Sequence, residues 1–478
     1  MLSRLPVYPV AFAVAFVLNR YLATGGYLNV VVRPLLALVA VAILVQLVLW
    51  LITRNRHVGG VLATAVLATI LDPVVAVVTF ATGCVVLILG ATPRSRTGPL
   101  DWRRLTQVFN AIAVATVVVS AVLIGLRGTM TLAPAAAAAG VAAPGTPDIY
   151  LILLDAYPRT DSLASYFGFD NRPFIGELER LGFEEAKDSH SNYNATSLTL
   201  ASMFNARQVP ALLGDRADAT VVTSARLQRL ANAGTALTWL RQAGYRLVSM
   251  PSGVTSADLV AVDHVIDPGQ VNSFEVSVME AGLLPRLSSS LEADWIYDQQ
   301  RDRIQATFEA LAAMAASADA RPRFVFAHVM SPHVPILFDA AGMPVRPPAC
   351  FPVRCGPWDG SAETPAVVDQ IRYLNTLILD TVSKIVSKSP RPPVVVIMSD
   401  HGSRYFDRDE MLRNLFIAST PGHPGVFPDD ATPINLIPRL LNAYTDAGIP
   451  LATRESYVVD LSSVPAKGYL PLVPSPQT

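Results

Sequence analysis

The sequence predicts an α/β protein that follows an N-terminal bundle of about five transmembrane helices. The first observation is a pair of apolar strings, Ile149–Asp155 and Val394–His401, which carry no charge until they reach an acid. Uncharged runs of this length, bounded by prolines, are typical of strands buried in a parallel sheet. The second observation is that, between these two strings, patterns typical of helices are repeatedly followed by short apolar runs. Repeated helix-then-strand units favour a mostly parallel sheet covered by helices on both faces.

The N-terminal quarter differs from the rest of the chain in charge and hydropathy. Residues 1–126 contain nine arginines, two aspartates and no lysine or glutamate, whereas the remainder contains 28 basic and 36 acidic residues. A bilayer-spanning helix needs about 20 apolar residues. Five uncharged stretches therefore predict five spans, of which the third is the shortest: Leu5–Asn19, Pro34–Thr53, Val58–Leu71, Pro73–Pro93 and Leu105–Leu126.

Arginine placement predicts how these spans are oriented. Cationic loops stay on the cytoplasmic side of a membrane, and the arginines cluster between spans two and three and between spans four and five: Arg54, Arg56, Arg94, Arg96, Arg103 and Arg104. The expected protein is a multi-pass membrane protein with an extracytoplasmic C-terminal part. We expect an anchor over residues 1–127, an uncharged Ala/Pro/Gly linker over 128–147, and an extracytoplasmic outer domain over 148–478.

Within the outer domain, four helical patterns are expected, and three of them lead directly into a strand. Helices are predicted at Phe174–Leu181, Leu227–Gln242, Tyr297–Ala316 and Val367–Lys388. The strands that follow the last three are predicted at Tyr245–Met250, Phe324–Met330 and Val394–Met398. The chain has no glycine fingerprint for nucleotides and no basic patch suited to nucleic acid.

Two acids and a histidine are placed where a sheet collects ligands. Asp155 ends the first strand, and Asp400 and His401 end a late strand. Because ligands of open α/β sheets bind beyond the carboxyl ends of the strands, these three side chains predict a divalent-cation site. The alternative for Asp155 is a turn or N-cap aspartate.

The segment Ser191–Asn205 (SNYNATSLTLASMFN) offers a nucleophile. Its polar residues precede an apolar pattern, which predicts a helix that begins near Ala195–Ser197. A hydroxyl in that first turn lies where the helix dipole favours negative charge. Thr196 is therefore the candidate metal ligand and nucleophile, with Ser197 and Thr199 as alternatives. A first-turn or N-cap threonine without a catalytic role is the competing interpretation.

The segment His328–His333 (HVMSPH) follows a predicted strand and brings imidazoles to the same edge. His333 lies on the loop and is the candidate group for contacting an ester oxygen or protonating a leaving group. A packed loop histidine is the alternative. His328 lies inside the strand pattern and is interpreted as structural.

Together these segments resemble the alkaline phosphatase–sulfatase superfamily, in particular its membrane-anchored branch of lipoteichoic acid synthases and phosphoethanolamine transferases. The resemblance covers about residues 148–440 and implies a metal held by Asp155, Thr196, Asp400 and His401. It implies a covalent intermediate on Thr196 and substrate contact by His333. The transferase branches usually place a glutamate where this chain has Asp155, which leaves the metal open between zinc, manganese, magnesium and calcium, as one ion or two.

The resemblance implies an enzyme that transfers or hydrolyses a phosphoester. The expected partners are membrane lipids and a phospholipid, glycan or other ester substrate, with transfer of a phospholipid-derived head group to an envelope glycan or lipid as the first interpretation. Hydrolysis of a phosphate or sulfate ester is the second, and a non-catalytic membrane scaffold is the third.

The cysteines add little to this prediction. Cys84 is expected to pack inside a span, and Cys350 and Cys355 lie in a Pro-rich loop as either a disulfide or two free thiols. Cys350–Arg354 also fits the C-x-P-x-R pattern that sulfatases convert to formylglycine. It lies 195 residues after Asp155 and cannot begin a helix cleanly, so the match is interpreted as coincidental.

Overall fold

The chain forms two compact units. The computed structural model describes residues 5–71, 102–127, 140–213, 222–281, 294–317, 319–345, 360–403, 406–458, 469–470 and 473–474. One unit comprises Met1–Thr131 together with Asn272–Ala293, and the other comprises Leu132–Val271 together with Asp294–Thr478. The predicted loop that holds Cys350 and Cys355, and the predicted span that holds Cys84, lie outside the described residues.

The N-terminal unit is helical. Its described helices are α1 (Tyr8–Thr24), a short 3₁₀ turn (Leu28–Val31), α2 (Val32–Thr53), α3 (Arg56–Leu71), α4 (Trp102–Arg127) and α11 (Ser273–Glu280). Helices α1 and α4 run in the same direction, because Tyr8 contacts Asn110 near their starts and Asn19 contacts Ser120 further along. Helix α2 runs the opposite way and brings the Gln46 amide to the Pro6 carbonyl, 2.7 Å away.

Two helices of this unit have the length and composition to cross a bilayer. They span Leu28–Thr53 and Trp102–Leu126, with mean hydropathies of 3.0 and 2.4. Large apolar side chains lie on their outer faces, such as Leu44 at 60% exposure and Ile112 at 59%. Soluble monomers rarely expose such continuous apolar surface, whereas a membrane contact requires it.

The prediction of five transmembrane helices is wrong in its count. The first and third predicted spans are helices of only 17 and 16 residues, at or below the length that a crossing needs. Helix α1 ends at Gly25, whose φ of 74° closes it soon after the apolar run. The apolar runs predicted helices but not where the helices end. The predicted fourth span, Pro73–Pro93, lies outside the described residues.

The C-terminal unit is built on a seven-stranded sheet in the order β2-β8-β7-β1-β6-β4-β5. The strands β7, β1, β6, β4 and β5 are parallel, and β8 and β2 are added antiparallel at one edge. The α/β class with a mostly parallel sheet is therefore confirmed. The sheet strands are β1 (Ile149–Leu154), β2 (Glu184–Glu185), β4 (Arg246–Met250), β5 (His264–Val265), β6 (Arg323–Val329), β7 (Val394–Ser399) and β8 (Phe416–Ser419).

Helices cover both faces of this sheet. They are α5 (Thr160–Phe167), α6 (Arg172–Arg180), α7 (Thr196–Met203), α8 (Val209–Leu213), α9 (Ser224–Asn232), α10 (Thr235–Gln242), α12 (Asp294–Ala315), α13 (Gly360–Lys388) and α14 (Leu436–Thr445). Two small strand pairs are also present, β3 (Val222–Thr223) with β10 (Tyr469–Leu470) and β9 (Tyr457–Val458) with β11 (Val473–Pro474), as are 3₁₀ turns at Glu410–Leu412 and Pro433–Asn435.

Strand β1 contributes alternate side chains to two separate cores. Tyr150, Ile152 and Leu154 pack with residues of α12 and α13. The intervening residues Ile149, Leu151 and Leu153 pack on the other face, with residues of α7, α10 and α14. All six are fully buried. This division follows from the two-residue period of a strand, and it fixes β1 at the centre of the sheet.

The helix predicted over Leu227–Gln242 is two helices, α9 and α10, which meet at Gly234. The main chain of Phe204 passes this point so closely that a Cβ atom on Gly234 would lie 2.2 Å from the Phe204 carbonyl oxygen. The apolar spacing continues across the break. A pattern of side chains therefore predicted one helix where a main-chain contact requires an interruption.

Candidate metal centre and nucleophile

The candidate site forms where three neighbouring strands end at the same level. Leu154, the last residue of β1, is paired with Val329 of β6 on one side and with Ser399 of β7 on the other. Asp155 and Asp400 each follow one residue later. The register of the sheet, rather than loop conformation, thus brings the two carboxylates together at the carboxyl edge, as the sequence predicted.

Asp155, Asp400 and His401 form a buried cluster. One ligand atom from each residue lies within 4.8 Å of those of the other two, which suits a metal ion. His401 Nε2 lies 3.8 Å from Asp155 Oδ1 and 3.4 Å from Asp400 Oδ2. Among the described residues, neither of these two buried carboxylate oxygens has a hydrogen-bond partner. Buried carboxylate oxygens are rarely left without a partner. Two such oxygens facing each other across a small gap are consistent with a cation site between them.

The local backbone orients these side chains. The His401 Nδ1 atom lies 2.7 Å from the Gly402 carbonyl oxygen. Because a carbonyl only accepts, Nδ1 carries the proton and Nε2 presents its lone pair to the carboxylates, as in metal-binding histidines. Ala156 takes a left-handed conformation with φ of 61°, and its amide donates to Asp400 Oδ1 at 3.0 Å. Strained backbone of this kind is common at functional sites.

The two carboxylates have opposite pKa shifts. Burial, reinforced by the neighbouring Asp155 charge, raises the pKa of Asp400 to about 6. Burial acts in the same direction on Asp155, but the charges of nearby His333, His401 and His328 outweigh it and hold the pKa of Asp155 well below its ordinary value. Two carboxylates this close cannot both ionise readily without a compensating cation, which is what a divalent ion would supply.

Thr196 is the first residue of α7, and its side chain faces the cluster. The helix is capped by Ala195, and no side chain serves as the N-cap. The Thr196 Oγ1 atom instead lies 3.4 Å from Asp155 Oδ2. Thr196 is therefore not the N-cap but a first-turn residue, and its hydroxyl lies beside the carboxylates, where the sequence predicts the nucleophile.

The two alternative nucleophiles are placed differently. Thr199 is buried and donates to the main-chain oxygen of Asp400 at 3.0 Å. Ser197 lies near Gln228 and Asp258, on another side of α7. Of the three hydroxyls, the described contacts bring only that of Thr196 to the Asp155 carboxylate.

His333 lies at the edge of the cluster, and it is less buried than the three cluster residues. Its amide donates to the Asp155 carbonyl at 3.0 Å, so the loop is attached directly to the first metal-ligand candidate. The His333 Nδ1 atom lies 2.7 Å from the Val334 carbonyl oxygen. Nδ1 therefore carries the proton, and Nε2 is the ring atom left for a substrate.

His328 was interpreted from the sequence as structural, yet it contacts the cluster. Its Nε2 lies 3.4 Å from Asp155 Oδ2, and neither ring nitrogen has a hydrogen-bond partner within the described part of the chain. Burial alone would lower the pKa of His328, but the Asp155 carboxylate and the charges of Asp400 and Asp258 raise it. The pairing of β6 with β1 places this side chain there, and strand pairing was the signal that a single sequence did not provide.

Solved structures of sulfatases and of phosphoethanolamine transferase domains align with part of this chain. The C-terminal periplasmic domain of EcEptC from Escherichia coli aligns with 68% of this chain and 97% of its own, at 12% identity and a TM-score of 0.43. A phosphonate monoester hydrolase from Silicibacter pomeroyi aligns over 66% and 79%, at 15% identity and 0.42. BT1596, a 2-O GAG sulfatase, aligns over 66% and 77%, at 15% identity and a TM-score of 0.42.

No protein-family model and no curated protein matches the chain. The structural similarities concern the fold alone. The chemistry of the site must be argued from the side chains that this chain places at the end of the sheet.

Proposed function

We propose that the chain is a membrane-anchored, metal-dependent enzyme that transfers or hydrolyses a phosphoester group through a covalent intermediate on Thr196. One observation carries the proposal: Asp155, Asp400 and His401 present their ligand atoms to one another in a buried cluster, and the Thr196 hydroxyl lies beside it. This juxtaposition joins a cation site to a nucleophile, which is what displacement at phosphorus requires.

The donor set fits a divalent cation. Asp155 Oδ1 and Asp400 Oδ2, which have no hydrogen-bond partner within the described part of the chain, and His401 Nε2 would be its ligands, with Thr196 Oγ1 as a fourth. Imidazole and carboxylate ligands suit zinc or manganese, and magnesium and calcium also accept the oxygen ligands. A bound cation would supply positive charge that lowers the pKa of the Thr196 hydroxyl and stabilises charge on the ester oxygens.

The residues of the chain divide the remaining work. Thr196 Oγ1 would release its hydroxyl proton to solvent and form the bond to phosphorus as the bond to the leaving oxygen breaks. The Asp155 carboxylate, 3.4 Å away, accepts the hydrogen bond that orients the hydroxyl. His333 lies at the less buried rim, and its imidazolium form, with Nδ1–H held by the Val334 carbonyl, would donate the Nε2 proton to the leaving oxygen. A second acceptor, either water or the hydroxyl of a glycan or lipid, then releases the group from Thr196.

The apolar anchor favours a lipid donor. Helices α2 and α4 have the composition to hold the chain in a bilayer, so a phospholipid head group is the first substrate class to test. The extracytoplasmic location, transfer to an envelope glycan or lipid, and the membrane lipids as partners are parts of this proposal. Hydrolysis of a soluble phosphate or sulfate ester is the second candidate, because the same cluster serves it with water as the acceptor.

The proposal is tested by incubating the full-length protein with phospholipids labelled in the head group, in the presence of zinc or manganese. We expect label on the peptide that contains Thr196, identified by mass spectrometry, and release of diacylglycerol. Label on another residue would overturn the nucleophile assignment. Absence of label with phospholipids and with aryl phosphate and aryl sulfate esters would overturn the enzymatic proposal.

A further inference from the structure

Helix α11 lies in the sequence of the outer domain but packs within the N-terminal unit. The chain leaves the C-terminal unit after Val271 and returns to it at Asp294. Between these points, α11 contacts α1, α2 and the 3₁₀ turn that joins them. A segment of eight helical residues is thus contributed to the anchor by the domain that carries the candidate site.

The contact is chemically specific. The guanidinium group of Arg33, at the start of α2, forms two parallel hydrogen bonds with the Glu275 carboxylate, at 2.6 and 2.7 Å. Arg20, near the end of α1, donates to the Ser277 carbonyl at 2.7 Å. Bidentate arginine–carboxylate pairs fix geometry as well as contributing energy. The Glu275 side chain is only 11% exposed, whereas that of Arg33 is 52% exposed, so reversing the Arg33 charge would place a like charge beside a largely buried carboxylate.

Apolar contacts support the same interface. Phe274, Val276 and Val278 of α11 are each less than 10% exposed. The Phe274 ring packs edge-on against Tyr21 of α1, with ring centroids 6.2 Å apart. The helix is also stabilised at its start, because Asn272 and Glu275 form a reciprocal capping box. A capped helix with a buried apolar face and an ion pair to α2 is a docking element rather than an exposed loop.

The charges explain an exception to the arginine distribution. Arg54 and Arg104 flank the opposite end of the unit, where His57 of α3 contacts Thr106 of α4. Arg20 and Arg33 instead lie at the other end, where positive residues are disfavoured if that end is extracytoplasmic. Residues 272–281 contain two glutamates and no cation. The negative charge of this segment therefore complements the positive charge that Arg20 of α1 and Arg33 of α2 bring to that end of the unit.

We infer that α11 is a second attachment of the outer domain to the membrane anchor, in addition to the covalent linker at 128–147. The contact holds the anchor and the outer domain together when that linker is cut. The inference depends on the contacts of α11 and not on the proposed enzymatic activity.

The test uses the full-length protein with an affinity tag at its N-terminus and a protease recognition sequence within residues 132–139. After cleavage in detergent, we expect the outer fragment to be retained with the tagged anchor. Arg33→Glu should reduce retention by about tenfold or more. Arg33→Glu leaves the capping box intact, which separates loss of docking from loss of the helix.

A matched control is Glu177→Arg, which breaks an exposed ion pair with Arg180 on α6. Its retention should equal that of the unaltered chain. Release of the outer fragment from the unaltered chain would overturn the inference, as would undiminished retention in Arg33→Glu.

Discussion

The hydroxyl of Thr199 donates a hydrogen bond of 3.0 Å to the main-chain oxygen of Asp400. The Ser191 hydroxyl donates to the same oxygen. Helix α7 is thereby joined to the end of β7 one helical turn after Thr196. The distance between the candidate nucleophile and the candidate metal ligand thus depends on two hydroxyls that do not themselves face the cluster.

Thr199→Val tests this connection, because valine keeps the shape of threonine and removes the donor. We expect a loss of about 1 kcal/mol in the free energy of unfolding and about tenfold slower labelling of Thr196, since small displacements of a nucleophile are costly. Denaturant unfolding and single-turnover labelling measure the two effects. Thr376→Val, on the exposed face of α13, is the control. Unchanged labelling in Thr199→Val would exclude a positioning role.

Thr196→Ala should eliminate turnover while the protein remains folded. Removing the nucleophile of a covalent mechanism typically costs on the order of 1,000-fold or more. Thr196→Ser retains a hydroxyl and should retain measurable labelling at residue 196. Steady-state assays with an aryl phosphate provide the comparison, and full activity in the alanine variant would remove Thr196 from the mechanism.

Asp400→Asn should lose most of the bound divalent metal. The substitution replaces an anionic ligand with a neutral one in a site where both carboxylates are buried, and metal affinity depends on deprotonated ligands. Elemental analysis of the purified full-length variant, compared with the equally conservative Asp258→Asn, measures the effect. Equal metal content in Asp400→Asn, Asp258→Asn and the unaltered protein would refute the ligand assignment.

Gly402→Ala should disturb both stability and the site. A Cβ atom at this position would lie 2.3 Å from the Glu410 carbonyl oxygen and 2.5 Å from that of Arg413. Both are main-chain atoms, so the 410–413 segment would have to move, at a cost of about 1–3 kcal/mol. The Gly402 carbonyl also fixes the tautomer of His401. We expect a lower unfolding midpoint together with reduced metal content. If both quantities stayed unchanged, the packing described here would be contradicted.

Glu410→Gln should change how stability depends on pH. Burial raises the pKa of Glu410 to about 7, and its carboxylate accepts a hydrogen bond of 2.6 Å from Ser162. A raised pKa stabilises the fold most below the ordinary glutamate pKa, and this stabilisation is lost as pH rises through about 7. Glutamine removes the titration. We expect the variant to exceed the unaltered protein in stability by about 1 kcal/mol or more at about pH 8, and to show a flatter profile down to about pH 5.

The central strands and the acids that follow them could be predicted from the sequence, because apolar runs ending in Asp155 and Asp400 are local signals. The place of Thr196 at a helix start was predicted for the same reason. Features that depend on distant contacts were not. The proximity of His328 to Asp155 requires the pairing of β6 with β1, the break at Gly234 requires the approach of Phe204, and the docking of α11 requires an arginine 242 residues away.

Leu154 and Ser399 are paired at the same level of the sheet. This pairing restricts how the lengths of β1 and β7 can vary among relatives of this chain. Substitutions along β1 and β7 alter only local packing. Inserting or deleting a single residue in either strand would shift one acid by about 3.3 Å and turn it to the opposite face. Changes in length should therefore accumulate in the connecting loops, and an aligned pair of relatives should keep both strands free of gaps.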